Sequence, residues 1–263
     1  NCFATVNIQI HIYFRSLFTS GSSSLQRGRN PLCCRALTPE FFHESGDGNT
    51  MSTPQIRAEP GKRETMNRLL AAARQIFALK GLAGARVEDI AREAGVTKQL
   101  VYHYYGSKEV LFSTVLDDAS QQIMQELIAL DIHDLPPEEA LRKLLYCCFD
   151  QYMEDPLLGA LALEGIRYHE TSNTRPNSFT NESPALAIKF STVLKRGIEV
   201  GVFKHDMNAR LFLASSALLM TGGFTNHYTM SVLVGFDTTS EDGMRIWREH
   251  SANLILASIK RQS

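Results

Sequence analysis

The chain has 263 residues with a formal net charge of −1, and 44% of the residues are hydrophobic. This length holds one large or two modest domains, and the near-neutral charge excludes a chain-wide basic surface, so any nucleic-acid-binding surface must be local. No stretch approaches the roughly 18 apolar residues of a membrane-spanning helix, and the five cysteines, four of them in adjacent pairs, suit neither a disulfide scaffold nor a metal site and favour a reducing compartment such as the cytoplasm.

Residues 1–60 differ in composition from the rest of the chain. They are rich in Gly, Ser and Pro, and their apolar residues follow no helical period. Arg15 and Arg27 occur there while no acidic residue precedes Glu40, a bias that also fits a transit peptide. Met51, followed by a polar segment, is typical of a natural start. We therefore expect residues 1–60 to be a disordered N-terminal extension, and residues 1–50 to be dispensable for folding and function.

Four helices are predicted between residues 62 and 130. In "RETMNRLLAAARQIFALKG" the spacings of three and four residues between apolar positions indicate an amphipathic helix whose inner face comprises Leu69, Leu70, Ala73, Ile76 and Phe77. "VEDIAREAG" indicates a shorter helix of the same kind. The third and fourth helices are each preceded by a hydroxyl residue that can cap them, Thr97 and Ser107.

The remaining helices are predicted over residues 136–262. Pro136-Pro137 and Pro156 stand where two of them begin, because proline is favoured in the first helical turn. The polar segment "TSNTRPNSFTNESP" is predicted to be a loop that ends at Pro184. Further helices are predicted over residues 185–201, 206–228 and 241–262. No period-two alternation typical of strands occurs. The sequence therefore predicts an all-α protein of about nine helices.

The second and third helices are joined by a four-residue turn that contains Gly95, which is the arrangement of a helix-turn-helix. From Lys62 to Lys108, nine Lys or Arg residues stand against four acidic residues, so this segment carries +5 while the whole chain carries −1. Such a local excess of positive charge indicates a DNA-binding region on a body that does not bind DNA. We expect residues 61–108 to form a helix-turn-helix DNA-binding domain.

The segment "VEDIAREAGVTKQLVYHYYGSKEVLF" resembles the signature of the TetR family of bacterial transcriptional regulators. The matching elements are Asp89-Ile90-Ala91, Ala94-Gly95-Val96, Tyr102, Tyr105, Ser107-Lys108-Glu109 and Leu111-Phe112. Further on, "GVFKHDMNARLFLASSALLMTGGF" resembles the start of the family's dimerisation helix, and "GAR" and "DPLLGALALE" are similar to the pyrimidine-responsive RutR-like branch. One departure is Ala85-Arg86, where the family usually has a Thr or Ser that caps the second helix.

Helical spacing places four residues on the outer face of the third helix: Lys98, Gln99, Tyr102 and His103. A lysine can bind O6 or N7 of guanine, and a glutamine can pair with adenine. The resemblance implies a base contact for Leu100 and a phosphate contact for Tyr102. The alternative is that Lys98 and Gln99 are merely solvated and that His103 is half-buried.

Phosphate contacts are expected from cations near helix ends. Lys108 opposes the macrodipole at the start of the fourth helix unless a phosphate binds there to both the helix N–H groups and its ammonium. Arg86 and Arg63 can also reach phosphates, although Arg63 could be an ordinary surface charge. The complete predicted DNA-binding set is Arg63, Arg86, Thr97, Lys98, Gln99, Leu100, Tyr102, His103 and Lys108.

The resemblance implies that residues 109–263 pair two chains and hold a small organic effector, with no cofactor or metal. Small residues from Ala214 to Ala217, with Gly222 and Gly223, allow close helix approach and favour a homodimer, unless they pack only within the chain. The candidate ligand-binding residues are Tyr146, Phe149, Tyr152, Met153, Leu161, Glu164, Arg167, Tyr168, Phe190 and Phe224.

Within that set, Glu164 and Arg167 lie three residues apart and can share a helix face. Arg167 could then hold the carboxylate of an anionic or aromatic effector. An internal ion pair is the alternative for these two residues, and ordinary core packing is the alternative for the aromatic ones.

The sequence thus predicts a ligand-responsive repressor that binds palindromic double-stranded DNA as a homodimer and does not bind membranes. An enzyme is disfavoured, because no Walker loop, dinucleotide-binding glycine motif or G-x-S-x-G occurs. The alternatives are a helix-turn-helix protein without a ligand switch, which binds DNA constitutively, and one that binds only other proteins.

Overall fold

The computed structural model of the chain describes residues 60–171, 177–205 and 207–261, and in these ranges it is built from α-helices without a β-sheet. The described helices are α1 (Pro60–Gly84), α2 (Val87–Glu93), α3 (Lys98–Tyr105), α4 (Lys108–Ala129), α5 (Pro137–Glu154), α6 (Leu158–Thr171), α7 (Ser178–Glu199), α8 (Ala209–Thr225), α9 (His227–Val234) and α10 (Glu241–Ile259). The all-α prediction is confirmed. The expected extension falls, apart from Pro60, outside the described residues.

The first three helices, here called the head (residues 60–105), form the predicted helix-turn-helix. On the predicted inner face of α1, Leu69, Ala73 and Phe77 are fully covered, and Leu70 and Ile76 are half-buried. The backbone of α1 leaves helical geometry at Gly81, whose φ is 64°. Gly95, with a φ of 65°, lets the chain turn from α2 into α3 because glycine reaches this left-handed region without a steric penalty.

Two of the three helix starts in this region carry the predicted side-chain cap. Thr97 accepts a hydrogen bond from the backbone N–H of Leu100 at 3.3 Å, and Ser107 accepts one from the N–H of Val110 at 3.2 Å. Arg86 stands at the N-cap of α2 and makes no such bond. The departure from the family pattern at this position therefore leaves α2 without a side-chain cap.

Two hydrophobic clusters share α4. The head cluster runs from Leu69 to Leu116 and includes Leu161 of α6, whereas the body cluster runs from Met124 to Ile259. The first turns of α4 belong to the head cluster and its last turns to the body cluster. A single 22-residue helix thus connects both cores, which makes the head continuous with the body (residues 108–261).

The predicted loop before Pro184 is wrong over its second half. Helix α7 begins at Ser178 after Asn177, whose side chain accepts from the N–H of Thr180 while the Thr180 hydroxyl accepts from the N–H of Asn177. Pro184 lies inside the helix, where it cannot donate to the carbonyl of Thr180. The Ser183 hydroxyl lies 3.5 Å from that carbonyl oxygen and offers it a donor.

The short helix α9 is the one described helix that the sequence did not predict as a separate element. The sequence pattern extended α8 to Tyr228, but the chain bends at Asn226 and starts a new helix at His227. None of the residues of α9 is buried, so the helix has no core face that a periodic apolar pattern could reveal. Within the described residues, no helix is long and apolar enough to span a membrane.

Candidate nucleic-acid interface and ligand site

The outer face of α3 is a polar surface. The structure confirms that Lys98, Gln99, Tyr102 and His103 are exposed, and Leu100 is half-buried beside them. On the opposite face Val101 and Tyr105 are buried in the head cluster. Four adjacent side chains of α3 are therefore available to an external partner, while the inner face holds the helix in place.

Lys98 is paired with an acidic residue of α2. Its ammonium lies 2.5 Å from a carboxylate oxygen of Glu88, and this hydrogen bond raises the pKa of Lys98 and lowers that of Glu88. The same ammonium lies 5.7 Å from the centroid of the Tyr102 ring. Because both groups are exposed, a stronger external anion can displace Glu88 from Lys98.

The other cations of the head divide into paired and unpaired ones. Lys80 and Arg92 both bind the carboxylate of Asp89, at 2.9 and 2.7 Å, and the hydrogen bond from Lys80 is the largest cause of its lowered pKa. Arg63 and Arg86 are exposed and form no ion pair with any residue that the structure describes. Their exposure leaves both guanidinium groups accessible, and their phosphate contacts stay a prediction.

A cleft of about 400 Å³ opens beside the outer face of α3. It is lined by Ala85, Arg86, Val87, Glu88, Tyr102, Ser107, Lys108 and Glu109. It brings together the start of α2, the exposed tyrosine of α3 and the N-terminal turn of α4. A helix N-terminus presents backbone N–H groups to an anion, so this cleft has the donors that a phosphate requires.

Lys108 has a structural role that the sequence did not reveal. Its ammonium donates to the carbonyl oxygens of Leu82 at 2.7 Å and Ala85 at 3.1 Å, in the turn between α1 and α2. Two of the three donors of a lysine ammonium are thereby used within the chain. The phosphate contact of Lys108 stays a prediction and would depend on the remaining donor.

The ten candidate ligand residues do not line one pocket. Phe149 and Phe190 are buried in the body cluster, and the rings of Phe149 and Tyr152 pack on Phe224 with centroids 4.8 and 5.5 Å away. Leu161 and Tyr168 instead pack in or against the head cluster, and Met153 is exposed.

Glu164 and Arg167 form the internal ion pair that was the alternative interpretation. A nitrogen of the Arg167 guanidinium lies 2.7 Å from Oε1 of Glu164, and the other carboxylate oxygen accepts from the backbone N–H of Leu82 at 3.2 Å. Glu164 therefore faces the turn between α1 and α2, at the head.

A second cleft, of about 520 Å³, runs along α5. It is lined by Glu126, Leu130, Leu135, Glu139, Arg142, Lys143, Tyr146, Cys147, Asp150, Glu154 and Arg248. Tyr146 is the member of the predicted ligand set that contributes to it. Four carboxylates stand against three cations in this lining, which disfavours an anionic ligand.

The polar centre of this cleft joins α5 and α10. The Arg248 guanidinium lies 3.5 Å from the centroid of the Tyr146 ring and binds both carboxylate oxygens of Asp150 at 2.7 Å. Tyr146 donates from its hydroxyl to Glu249 at 2.7 Å, and burial, followed by this bond, raises its pKa. Sequence reasoning missed Arg248 and Asp150, because 98 residues separate them and no local motif marks either one.

The body leaves aliphatic side chains exposed on α8 and α10. Leu211 and Leu218 of α8 are 68% and 64% exposed, and Ile246 and Leu254 of α10 are 44% and 48% exposed. The small residues of α8 divide between two uses. Ala214 and Ser215 are exposed, whereas Gly222 and Gly223 pack against Trp247 of the same chain.

Comparisons with known proteins cover both regions of the molecule. A family model described as bacterial regulatory proteins of the tetR family matches residues 69–115, and one described as a tetracyclin repressor-like C-terminal domain matches residues 137–255. The HTH-type transcriptional repressor SCO4008 of Streptomyces coelicolor is 37% identical over 182 residues, which covers 69% of this chain and 89% of that protein. The HTH-type transcriptional repressor NicS of Pseudomonas putida is 28% identical over 212 residues, covering 78% of this chain and 97% of NicS.

Solved structures share the fold. SCO4942 of Streptomyces coelicolor has a TM-score of 0.57 at 22% identity and covers 75% of this chain and 99% of its own. PfmR, a TetR family transcriptional regulator of Thermus thermophilus, has a TM-score of 0.52 at 22% identity and covers 72% of this chain and 97% of its own. At this level of identity the likeness establishes the fold alone.

Proposed function

The chain belongs to the TetR family of bacterial regulatory proteins, and on that basis we propose that it is a homodimeric repressor that releases a palindromic operator when a small organic effector binds. Members of this family are DNA-binding transcriptional regulators and not enzymes. The operator, the dimer and the effector are the parts that the proposal adds. A cytoplasmic location follows from it, since bacterial operator DNA lies in the cytoplasm.

The polar outer face of α3 is the observation that carries the proposal. Its exposed residues include an amide and an ammonium that can bond base edges in the major groove. The neighbouring cleft adds Arg86 and the N–H groups of α4, which can bind the phosphates that flank those bases. Base readout and backbone positioning would thus use adjacent surfaces of one head.

The exposed aliphatic side chains of α8 and α10 support the dimer. Leu211 and Leu218, like Ile246 and Leu254, are seven or eight residues apart and so share a helix face, and a patch of large exposed apolar side chains is typical of an interaction surface. A second copy supplies the same face, and two antiparallel helix pairs would form a four-helix bundle. The two heads could then contact half-sites about one helical turn apart, roughly 35 Å.

The cleft along α5 is where we place the effector. Its volume of about 520 Å³ lies within the usual range for small ligands, and Leu130 and Leu135 give it an apolar part beside its charged groups. Its excess of carboxylates favours a cationic or zwitterionic ligand over an anionic one. A metabolite screen by thermal shift, followed by operator affinity with and without each hit, tests this placement.

Operator binding itself is tested by selecting genomic fragments that bind the purified protein. Affinity for the selected site should fall steeply with salt, because each phosphate contact releases counterions. A protein that binds duplex DNA weakly and without sequence preference at every salt concentration would contradict the proposal. Such a result would favour a helix-turn-helix protein that binds only other proteins.

A further inference from the structure

The turn from Gly81 to Ala85 is held from two sides by charged side chains. On one side, Lys108 of α4 donates to the carbonyls of Leu82 and Ala85. On the other, Glu164 of α6 accepts from the Leu82 N–H at 3.2 Å. The next residue is Arg86, the N-cap of α2 and a wall of the cleft beside α3. The two charged contacts therefore fix the point from which Arg86 projects.

Glycine at position 81 allows the carboxylate to come this close. A Cβ atom added to Gly81 would lie 2.8 Å from Oε2 of Glu164 and 3.1 Å from its carboxyl carbon. The φ of 64° at this glycine also disfavours any other residue. The backbone of the turn and the side chain of Glu164 are thus fitted to each other.

Glu164 is held in place by the packing of its helix, and its other carboxylate oxygen meets one exposed neighbour. Arg167, which is exposed, binds the second carboxylate oxygen, while the Glu164 side chain is only 20% exposed. On the same helix, Leu161 is buried in the head cluster, and the Tyr168 ring meets the Phe112 ring edge to face at 5.3 Å. Arg74 of α1 forms an ion pair with Asp155, just before α6.

The other end of this contact lies in the body. Gly159 of α6 packs on Phe224 of α8, the helix that carries the exposed aliphatic face. A Cβ atom added to Gly159 would lie 3.6 Å from the Phe224 side chain. Helix α6 therefore touches the body helix α8 and the turn that leads to Arg86. A shift of α6 would act on the hydrogen bond between Glu164 and Leu82.

From these contacts we infer that Glu164 is a positioning residue for DNA binding, acting through the Leu82 N–H and the Gly81–Ala85 turn on Arg86. The inference rests on the proposed operator binding. Glu164 is then a structural connection between body and head rather than an effector ligand. Its contribution to operator affinity should pass through Arg86, because Arg86 follows the held turn directly.

The experiment compares four full-length proteins: wild type, Glu164→Ala, Glu164→Gln and the control Arg167→Ala. Glu164→Ala should weaken operator affinity about fivefold to tenfold, the effect of one hydrogen bond. Glu164→Gln keeps an oxygen that can accept from Leu82, and Arg167→Ala keeps the carboxylate, so both should stay within about twofold of wild type. Hydrogen exchange of the Leu82 amide should accelerate in Glu164→Ala alone.

A double-mutant cycle distinguishes positioning from general destabilisation. In an Arg86→Ala background, Glu164→Ala should cost less than about twofold, since the residue it positions is gone. An equal loss in both backgrounds, an unchanged operator affinity, or unchanged Leu82 exchange overturns the inference. If wild type binds no operator, the proposed function fails together with it; if wild type binds and the cycle is additive, the inference fails alone.

Discussion

The head and the body of this chain leave chemically opposite surfaces open. On α3 the exposed side chains are hydrogen-bonding and cationic, whereas α8 and α10 expose large aliphatic side chains, such as Leu211 and Leu254, among their polar ones. Each surface is backed by its own hydrophobic cluster, and α4 contributes to both. The contrast teaches that one fold can leave two chemically different surfaces open, because burial constrains only the inner faces of its helices.

The largest effect is expected from charges on the aliphatic face. Replacing Leu211 and Leu218 together by Glu should prevent dimer formation, because carboxylates would have to be buried against the partner copy. Loss of the paired heads should lower operator affinity by about 100-fold or more, the usual contribution of a second linked contact. Light scattering and fluorescence anisotropy measure the two effects.

The control for that variant is Ile188→Glu. Ile188 of α7 is 68% exposed, as much as Leu211, but it lies on neither α8 nor α10. It should remain dimeric and bind the operator as wild type does. A monomeric Ile188→Glu protein, or a dimeric Leu211/Leu218 variant, would show that the aliphatic face has another partner.

A smaller effect is expected on the polar face. Gln99→Ala should cost about 1–3 kcal/mol at one base pair and relax the preference there, because the amide reads a base edge. Binding to operators already changed at that base pair should be hardly affected. The test is an affinity series over operators substituted one position at a time, and a uniform loss over the whole series would refute base readout.

Arg86→Ala should produce a different and smaller loss. Because a phosphate contact carries no sequence information, affinity should fall by a similar factor for every operator, and the slope of log affinity against log salt should decrease by about 1. The exposed Lys62 provides a matched control, since Lys62→Ala removes a charge outside the cleft. Sequence-dependent losses in Arg86→Ala would contradict the division between reading and positioning.

The smallest effect concerns the two half-buried cysteines of α5, of which Cys147 lines the cleft along that helix. Burial raises the pKa of the Cys147 thiol to about 11 and that of Cys148 to about 12, so neither forms a thiolate near neutral pH. Peptide mapping after alkylation at pH 8 should find both α5 cysteines almost unmodified in the folded protein and fully modified in denaturant. Fast alkylation of the folded protein would contradict the raised pKa values of these thiols.

The same two thiols set a direction for alkaline stability. Their folded pKa values lie above the value of 9.0 expected in the unfolded chain, so they favour the folded state below pH 9. That contribution is lost as the pH rises from 9 through about 11 to 12. A Cys147→Ala/Cys148→Ala protein should lose less unfolding free energy over this interval than wild type.

The head could be predicted from the sequence because its signals are local. Caps such as Thr97 and Ser107, the turn glycine Gly95 and the outward spacing of Lys98 and Gln99 all lie within a few residues of what they control. The same reasoning failed at Pro184, where the capping box that begins at Asn177, seven residues earlier, outweighs the proline. Periodicity alone could not recognise that competition.

The arrangement of the candidate ligand residues was harder to predict from the sequence, because it depends on contacts between distant parts of the chain. Glu164 shares a helix face with Arg167 as predicted, but only the packing of α6 on α1 turns that face towards Leu82. Likewise Tyr146 was identified as an aromatic candidate, whereas the Arg248 that covers its ring comes from the last helix. Local spacing carries no information about such partners.

The pairing of Lys98 with Glu88 bears on how the free protein discriminates among anions. A lysine that is to reach a base edge must first leave this carboxylate, 2.5 Å away, which then faces the DNA without its cation. The carboxylate must take up a cation from solution as the DNA gives one up, so the exchange contributes little net ion release. Glu88 thus competes with DNA for the Lys98 ammonium. It weakens the binding of Lys98 to phosphates, and it releases the lysine only where a base edge binds the ammonium by more than charge attraction alone.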